Sequence, residues 1–107
     1  MTKLVRDKIP EIVSKKNNPV KTKILNDHEY LYALNDKLQE EVSEFIDAIK
    51  NNDSTLNQQS EIADILEVVE AICKFKNYDK EVIQNIQQKK KLEKGGFDKR
   101  ILLITEN

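Results

Sequence analysis

Apolar residues recur at steps of three and four through most of this chain, the spacing of one face of an α-helix. The longest run is Leu31, Leu34, Leu38, Val42, Phe45 and Ile49. Asn26-Asp27-His28-Glu29 opens it as a capping box, with Asn26 at the cap and Glu29 at N3. An amphipathic helix ending near Lys50 is expected. Asn51-Asn52-Asp53-Ser54 breaks the pattern. A second long helix follows, with Ile62, Ile65, Leu66, Val69, Ile72 and Cys73 on one face. Asn77-Tyr78-Asp79 separates it from a third helix carrying Val82, Ile83 and Ile86, which Gly95-Gly96 stops as glycine does just past a helix end. Nearer the start, Asp7 is placed to cap a short helix with Pro10 in its first turn, running to about Lys16. Asn17-Asn18-Pro19 is a turn signal. Val20, Thr22 and Ile24 alternate with Lys21 and Lys23 as in a short strand, and Ile101-Leu102-Leu103-Ile104 is a β-prone run that could pair with it. Two glycines and two prolines are few for a domain built on many tight turns. The expected class is mainly α: an antiparallel helical bundle with short N- and C-terminal extended segments.

A length of 107 residues sets one domain and a small core, so burial in an oligomer is expected. Charged residues make up 35% of the chain, yet the net charge is only -1, so non-specific nucleic-acid binding is not favoured. No apolar run approaches the ~20 residues of a membrane span. No apolar stretch of the signal-peptide kind follows Met1-Thr2-Lys3, and the cytoplasm is the default compartment. One cysteine, Cys73, leaves no intrachain disulfide, and one histidine, His28, excludes a zinc site built from Cys and His alone. His28 is expected at the surface and Cys73 as a small buried hydrophobe.

The candidate chemistry lies in two acidic pairs, Glu41-x-x-Glu44 and Glu61-x-x-Asp64. Each pair puts two carboxylates one turn apart on one side of a helix. At ~100° per residue, Glu41 and Glu44 lie ~60° and ~120° to one side of the Leu38 stripe, and Glu40 points ~160° away. Glu61 and Asp64 lie ~40° and ~100° to one side of Ile65, with Glu67 turned ~160° away. If the helices pack antiparallel, four carboxylates converge on one spot. A like-charged pair at contact costs roughly 4 kcal/mol at the effective dielectric near a protein surface, so such a cluster calls for cations. With oxygen ligands only, Mg²⁺ or Mn²⁺ is the natural choice, and Mg²⁺ held by carboxylates usually also meets substrate phosphates. The alternative is a set of ordinary boundary acids neutralised by lysines, Lys37 being on the same shoulder as Glu41.

These residues resemble the all-α nucleotide pyrophosphohydrolases of the MazG-like superfamily, whose signature is E-x-x-E, a spacer, then E-x-x-D. Lys3-Leu4-Val5-Arg6-Asp7-Lys8-Ile9-Pro10-Glu11-Ile12 and Lys94-Gly95-Gly96-Phe97-Asp98-Lys99-Arg100-Ile101 extend the likeness to a compact, phosphoribosyl-ATP pyrophosphohydrolase-like subgroup. The resemblance implies a single MazG-like helical domain over residues 1–107 that associates as a homodimer or homotetramer. It implies Mg²⁺ ligation by Glu41, Glu44, Glu61 and Asp64. It implies hydrolysis of a nucleoside triphosphate to the monophosphate and pyrophosphate, with nucleotide-pool sanitising as the role. By the same analogy Glu41 or Glu44 is the catalytic carboxylate that orients or deprotonates water. Arg6, Lys8, Lys37, Lys94 and Arg100 are candidates for phosphate contact, because cations there would offset triphosphate charge. Two rivals stand beside this expectation: phosphoribosyl-ATP pyrophosphohydrolase itself, and a non-catalytic helical dimer acting as a regulatory module. Neither a membrane nor a specific nucleic acid is expected as partner.

Overall fold

A computed structural model describes residues 2–16 and 19–105 and contains four helices among them. They are α1 (Ile9–Lys16), α2 (Asp27–Lys50), α3 (Thr55–Phe75) and α4 (Lys80–Lys94). α2 starts where its capping box places it. The Asn26 side chain accepts from the Glu29 N–H at 2.9 Å, and the Glu29 carboxylate accepts from the Asn26 N–H at 3.2 Å. Lys23 adds an ion pair to Glu29 at 2.8 Å.

Both long helices end by the same device. Asn52 and Asn77 take left-handed φ of 53° and 57°, a conformation asparagine tolerates better than other non-glycine residues. Behind each, paired reversed hydrogen bonds close the helix. The Asp53 N–H donates to the Ala48 carbonyl at 3.0 Å, and the Tyr78 N–H to the Cys73 carbonyl at 2.9 Å. Ser54 then starts α3, accepting from the Asn57 N–H at 3.1 Å, while the Asn57 amide donates to the Asp53 carboxylate at 2.7 Å. Asp79 caps α4 through the Glu81 and Val82 N–H groups. Gly95 ends α4 with φ of 83°; a β-carbon there would meet no atom within 4 Å, so backbone conformation rather than space asks for glycine.

Three local expectations change. α1 begins at Ile9, so Asp7 lies in the preceding turn, closed by the Ile9 N–H on the Arg6 carbonyl at 3.0 Å, and is not the cap. Pro10 still falls in the first turn, where its missing N–H costs nothing. Asn17 and Asn18 of the expected turn lie outside the described residues. Neither Val20–Leu25 nor Ile101–Ile104 forms a strand: no backbone hydrogen bond joins them, and a strand needs a paired edge that alternation alone does not supply.

α2 and α3 are the one extensively packed helix pair among the described residues. Their contact is turned away from the centre of the apolar stripes. In α2 the buried line is Leu34, Glu41 and Ala48, with Leu38 and Phe45 half-buried and Val42, Ile46 and Ile49 exposed. In α3 Val68 is buried, Glu61, Ile65, Ile72 and Phe75 are half-buried, and Ile62, Leu66 and Val69 are exposed. Each contact line therefore sits ~60° toward the acidic shoulder. One wide stripe per helix is divided, half to the partner helix and half to solvent. Tyr30 and Phe75 meet edge to face at 5.0 Å, tying the start of α2 to the end of α3. Cys73 is half-buried rather than buried, and His28 is exposed, its ring edge-on to Tyr32 at 4.9 Å. No residue of α4 is buried.

Candidate metal centre

The packing of α2 on α3 brings Glu41, Glu61 and Asp64 together, with one oxygen from each lying within 4.8 Å of the others. Glu40, Glu41 and Glu44 form a second group at the same spacing, so Glu41 belongs to both. The four expected ligands, joined by Glu40, thus form two overlapping triads hinged on Glu41 rather than one symmetric cluster. Glu40 is the member the helix geometry missed. Its α-carbon points outward, but a glutamate has three rotatable bonds and reaches sideways to its neighbours one turn on.

Glu41 is the deepest charge, only 6% exposed. Lys37 holds one of its oxygens at 3.2 Å and the Glu40 carboxylate at 3.0 Å. Burial works against the Lys37 ammonium, but its hydrogen bonds to Glu40 and Glu41 prevail and raise its pKa. Lys37 is therefore committed to the acids, as the bland alternative supposed. It leaves the job unfinished. Oε2 of Glu41 and Oε2 of Glu61 are both buried without a hydrogen-bond donor. A buried carboxylate oxygen with no partner costs several kcal/mol as an order of magnitude, and here two stand in one group. All-oxygen donors, excess negative charge and orphaned buried oxygens together fit a hard divalent cation such as Mg²⁺ or Mn²⁺.

The other sequence candidates separate. Arg6 reaches the site from the N-terminal segment: its Nη2 donates to Asp64 Oδ1 at 2.8 Å, and its Nη1 lies 3.9 Å from Glu67. Lys3, from the same segment, is 3.9 Å from Glu40. Lys8, Lys94 and Arg100 are exposed and form no ion pair with the acids among the described residues. Lys94 lines a shallow hollow with Gly95, Gly96 and Lys99. Arg100 closes a turn onto the Phe97 carbonyl at 3.1 Å with φ of 58°. The Lys37, Glu40 and Glu41 contacts were legible as i,i+3 and i,i+4 spacings; the Arg6–Asp64 contact spans 58 positions and had no local signal.

Glu44 sits at the open rim. Partial burial, then the negative charges of Glu41, Glu61 and Glu40, and a hydrogen bond with Glu41, hold its carboxyl above the ordinary range.

Two packed helices joined by a tight turn thus carry a carboxylate set suited to a divalent cation, in an all-α domain. Residues 31–94 match the family model of the MazG nucleotide pyrophosphohydrolase domain, which covers more than half of the chain and the whole acidic set. The chain belongs to that family of nucleotide pyrophosphohydrolases. No curated protein and no solved structure gives a significant match to it. No helix among the described residues is long and apolar enough to cross a membrane.

The raised Glu44 pKa has a signed consequence. The folded protein binds this proton more tightly than the unfolded chain, so its favourable contribution is present below the ordinary carboxylate range. It is lost as pH rises through the folded-state value, leaving net repulsion at neutral pH. In EDTA, Glu44→Gln should melt higher than the wild type at pH 7.5, in a differential-scanning measurement. The gain should vanish as pH falls below the ordinary carboxylate range, where both states protonate the wild-type carboxyl.

Proposed function

We propose that this protein is a divalent-metal-dependent nucleoside triphosphate pyrophosphohydrolase, releasing a nucleoside monophosphate and pyrophosphate. The observation that carries the proposal is the pair of orphaned buried oxygens on Glu41 and Glu61, in contact range of Asp64, within the family-matched region. Glu41, Glu44, Glu61 and Asp64 are the proposed Mg²⁺ or Mn²⁺ ligands, with Glu40 at their edge. When bound, the cation offsets triphosphate charge and supplies Lewis acidity at the reacting phosphorus. Glu44 is the better of the two candidate bases. Glu41 has one oxygen tied to Lys37 and the other buried, whereas Glu44 is exposed at the open rim, where a water can reach it. It accepts the proton of the attacking water as the water oxygen bonds to phosphorus. The α–β bridging P–O bond breaks, and its electron pair leaves with pyrophosphate. Arg6 and Lys37 offset charge at the site. Lys8, Lys94 and Arg100 are proposed for phosphate only in an assembly that brings them to it. A cytoplasmic nucleotide-sanitising role follows as the biological proposal.

The assembly is proposed to be a homodimer or homotetramer in which α2 and α3 join an antiparallel bundle with a second copy. The chain exposes 10106 Å². A compact monomer of this mass exposes about 6,200 Å². Its radius of gyration is 18.2 Å, where a compact domain of this length has about 13 Å. The excess is apolar where it counts: Ile49, Leu66, Val69, Val82, Ile86 and Leu102 are all exposed. Obligate dimers bury 2,000 Å² and more, so a second copy of the chain can absorb an excess of this size. Sedimentation equilibrium at micromolar concentration should give a mass of two or four chains; a stable monomer would contradict the assembly.

Activity is tested by pyrophosphate release from canonical and modified (d)NTPs, with Mg²⁺ and with EDTA. Release that needs Mg²⁺ and yields the monophosphate is expected. Glu41→Gln and Asp64→Asn should each lower kcat/KM by at least about a hundredfold with helical circular dichroism retained, since each removes a charge from the metal set. Retained turnover in both would remove the site assignment. Silence across the panel in a folded, metal-loaded sample would redirect the substrate to phosphoribosyl-ATP or the chain to the regulatory rival.

A further inference from the structure

Arg6 reaches the site from outside the helical pair, and it occupies an oxygen of a proposed metal ligand. Its guanidinium donates to Asp64 Oδ1 at 2.8 Å and faces Glu67 at 3.9 Å. The segment carrying it is held down on both helices. Lys3 pairs with Glu40 on α2, Arg6 with Asp64 on α3, Leu4 and Val5 are half-buried, and the Ile9 N–H closes the turn on the Arg6 carbonyl at 3.0 Å. The backbone is thus fixed while the side chain stays 56% exposed. An arginine cannot shed its proton, so it cannot make room for a second cation by neutralising. It can only turn away. An exposed side chain does so cheaply, because its ion pair is screened by solvent.

We infer that Arg6 is an exchangeable counter-cation. In the metal-free protein it neutralises Asp64, and when a divalent ion takes Asp64 the guanidinium is released toward the phosphates of the ligand that the ion brings. The inference rests on the divalent-metal assignment of Glu41, Glu61 and Asp64. It makes the metal and phosphate sites interdependent: the cation that competes with the metal is the cation that then binds the anion. Guanidinium suits both duties, since its planar fork matches carboxylate and phosphate alike.

The two duties give Arg6→Gln effects of opposite sign, which a merely structural residue does not show. Free Mn²⁺ is followed by electron paramagnetic resonance, first with the protein alone and then with inorganic pyrophosphate as the anion. Without pyrophosphate, Arg6→Gln should bind Mn²⁺ about two- to fivefold more tightly, the size of an exposed charge pair. With Mn²⁺ saturating, its affinity for pyrophosphate should fall by about tenfold or more, as for a lost charge-assisted hydrogen bond. Arg6→Lys should keep much of the competition but recover little of the pyrophosphate affinity, because it lacks the fork. Glu67→Gln, which leaves the acid triad intact, should shift neither affinity by more than about twofold, since it removes only the longer, exposed contact. Weakening of both affinities together in Arg6→Gln, or no change in either, overturns the exchange. Failure of the underlying metal assignment looks different: wild-type Mn²⁺ binding would then be absent, or would survive Glu61→Gln and Asp64→Asn unchanged.

Discussion

The structure depends on a contact that a helical pair of this kind would ordinarily avoid. Glu41 lies in the seam between α2 and α3, on the same line as Leu34 and Ala48, and faces Glu61 and Asp64 across it. Ordinary core packing would put an apolar residue there. A buried glutamate with an unpartnered oxygen lowers the stability of the pair, and a second one beside it lowers it further. Lys37 and Arg6 return part of that cost from the two sides, one along α2 and the other from the N-terminal segment. The remainder is uncompensated negative charge on the Glu41 and Glu61 oxygens, and the proposed metal chemistry rests on it. Stability and the proposed function oppose each other at this seam, as is common where a site is preorganised for a bound charge.

That placement also explains the divided apolar stripes. Turning each helix ~60° toward its acids brings the carboxylates together but carries Val42, Ile46, Ile49, Ile62, Leu66 and Val69 out of the contact. The two helices cannot both converge their acids and bury all their apolar surface against each other. The rest is left for another surface, and α4 with the Phe97–Ile104 stretch adds to it. The proposed site and the proposed assembly of chains are consequently two sides of one packing choice.

The features legible in the sequence are the local ones. The Asn26–Glu29 capping box, the Asn51–Ser54 and Asn77–Asp79 breaks and the Gly95 stop depend on neighbours a few positions apart, and all appear where the pattern placed them. The acidic spacing put Glu41, Glu61 and Asp64 on facing shoulders, and the structure brings one oxygen of each within 4.8 Å of the others. Non-local facts were not legible. The strand expected at Val20–Leu25 required a paired edge, the Arg6–Asp64 contact joins distant segments, and the depth of Glu41 depends on how α2 rotates against α3. Periodicity gives the axis of a stripe but not which half of it a given neighbour takes. Glu40 escaped for a different reason: its membership is decided by side-chain reach, which a helical wheel drawn on α-carbons does not contain.

The central claim is that a divalent cation completes the buried oxygens of Glu41 and Glu61. It is tested most directly by thermal melting without nucleotide, in EDTA and in millimolar Mg²⁺ or Mn²⁺, for the wild type and a Glu41→Gln/Glu61→Gln variant. Metal that binds only the folded state should raise the wild-type melting temperature in a concentration-dependent way. The variant should melt at least as high as the wild type in EDTA and should not respond to metal. An unresponsive wild type, or an equal response in the variant, would contradict the account.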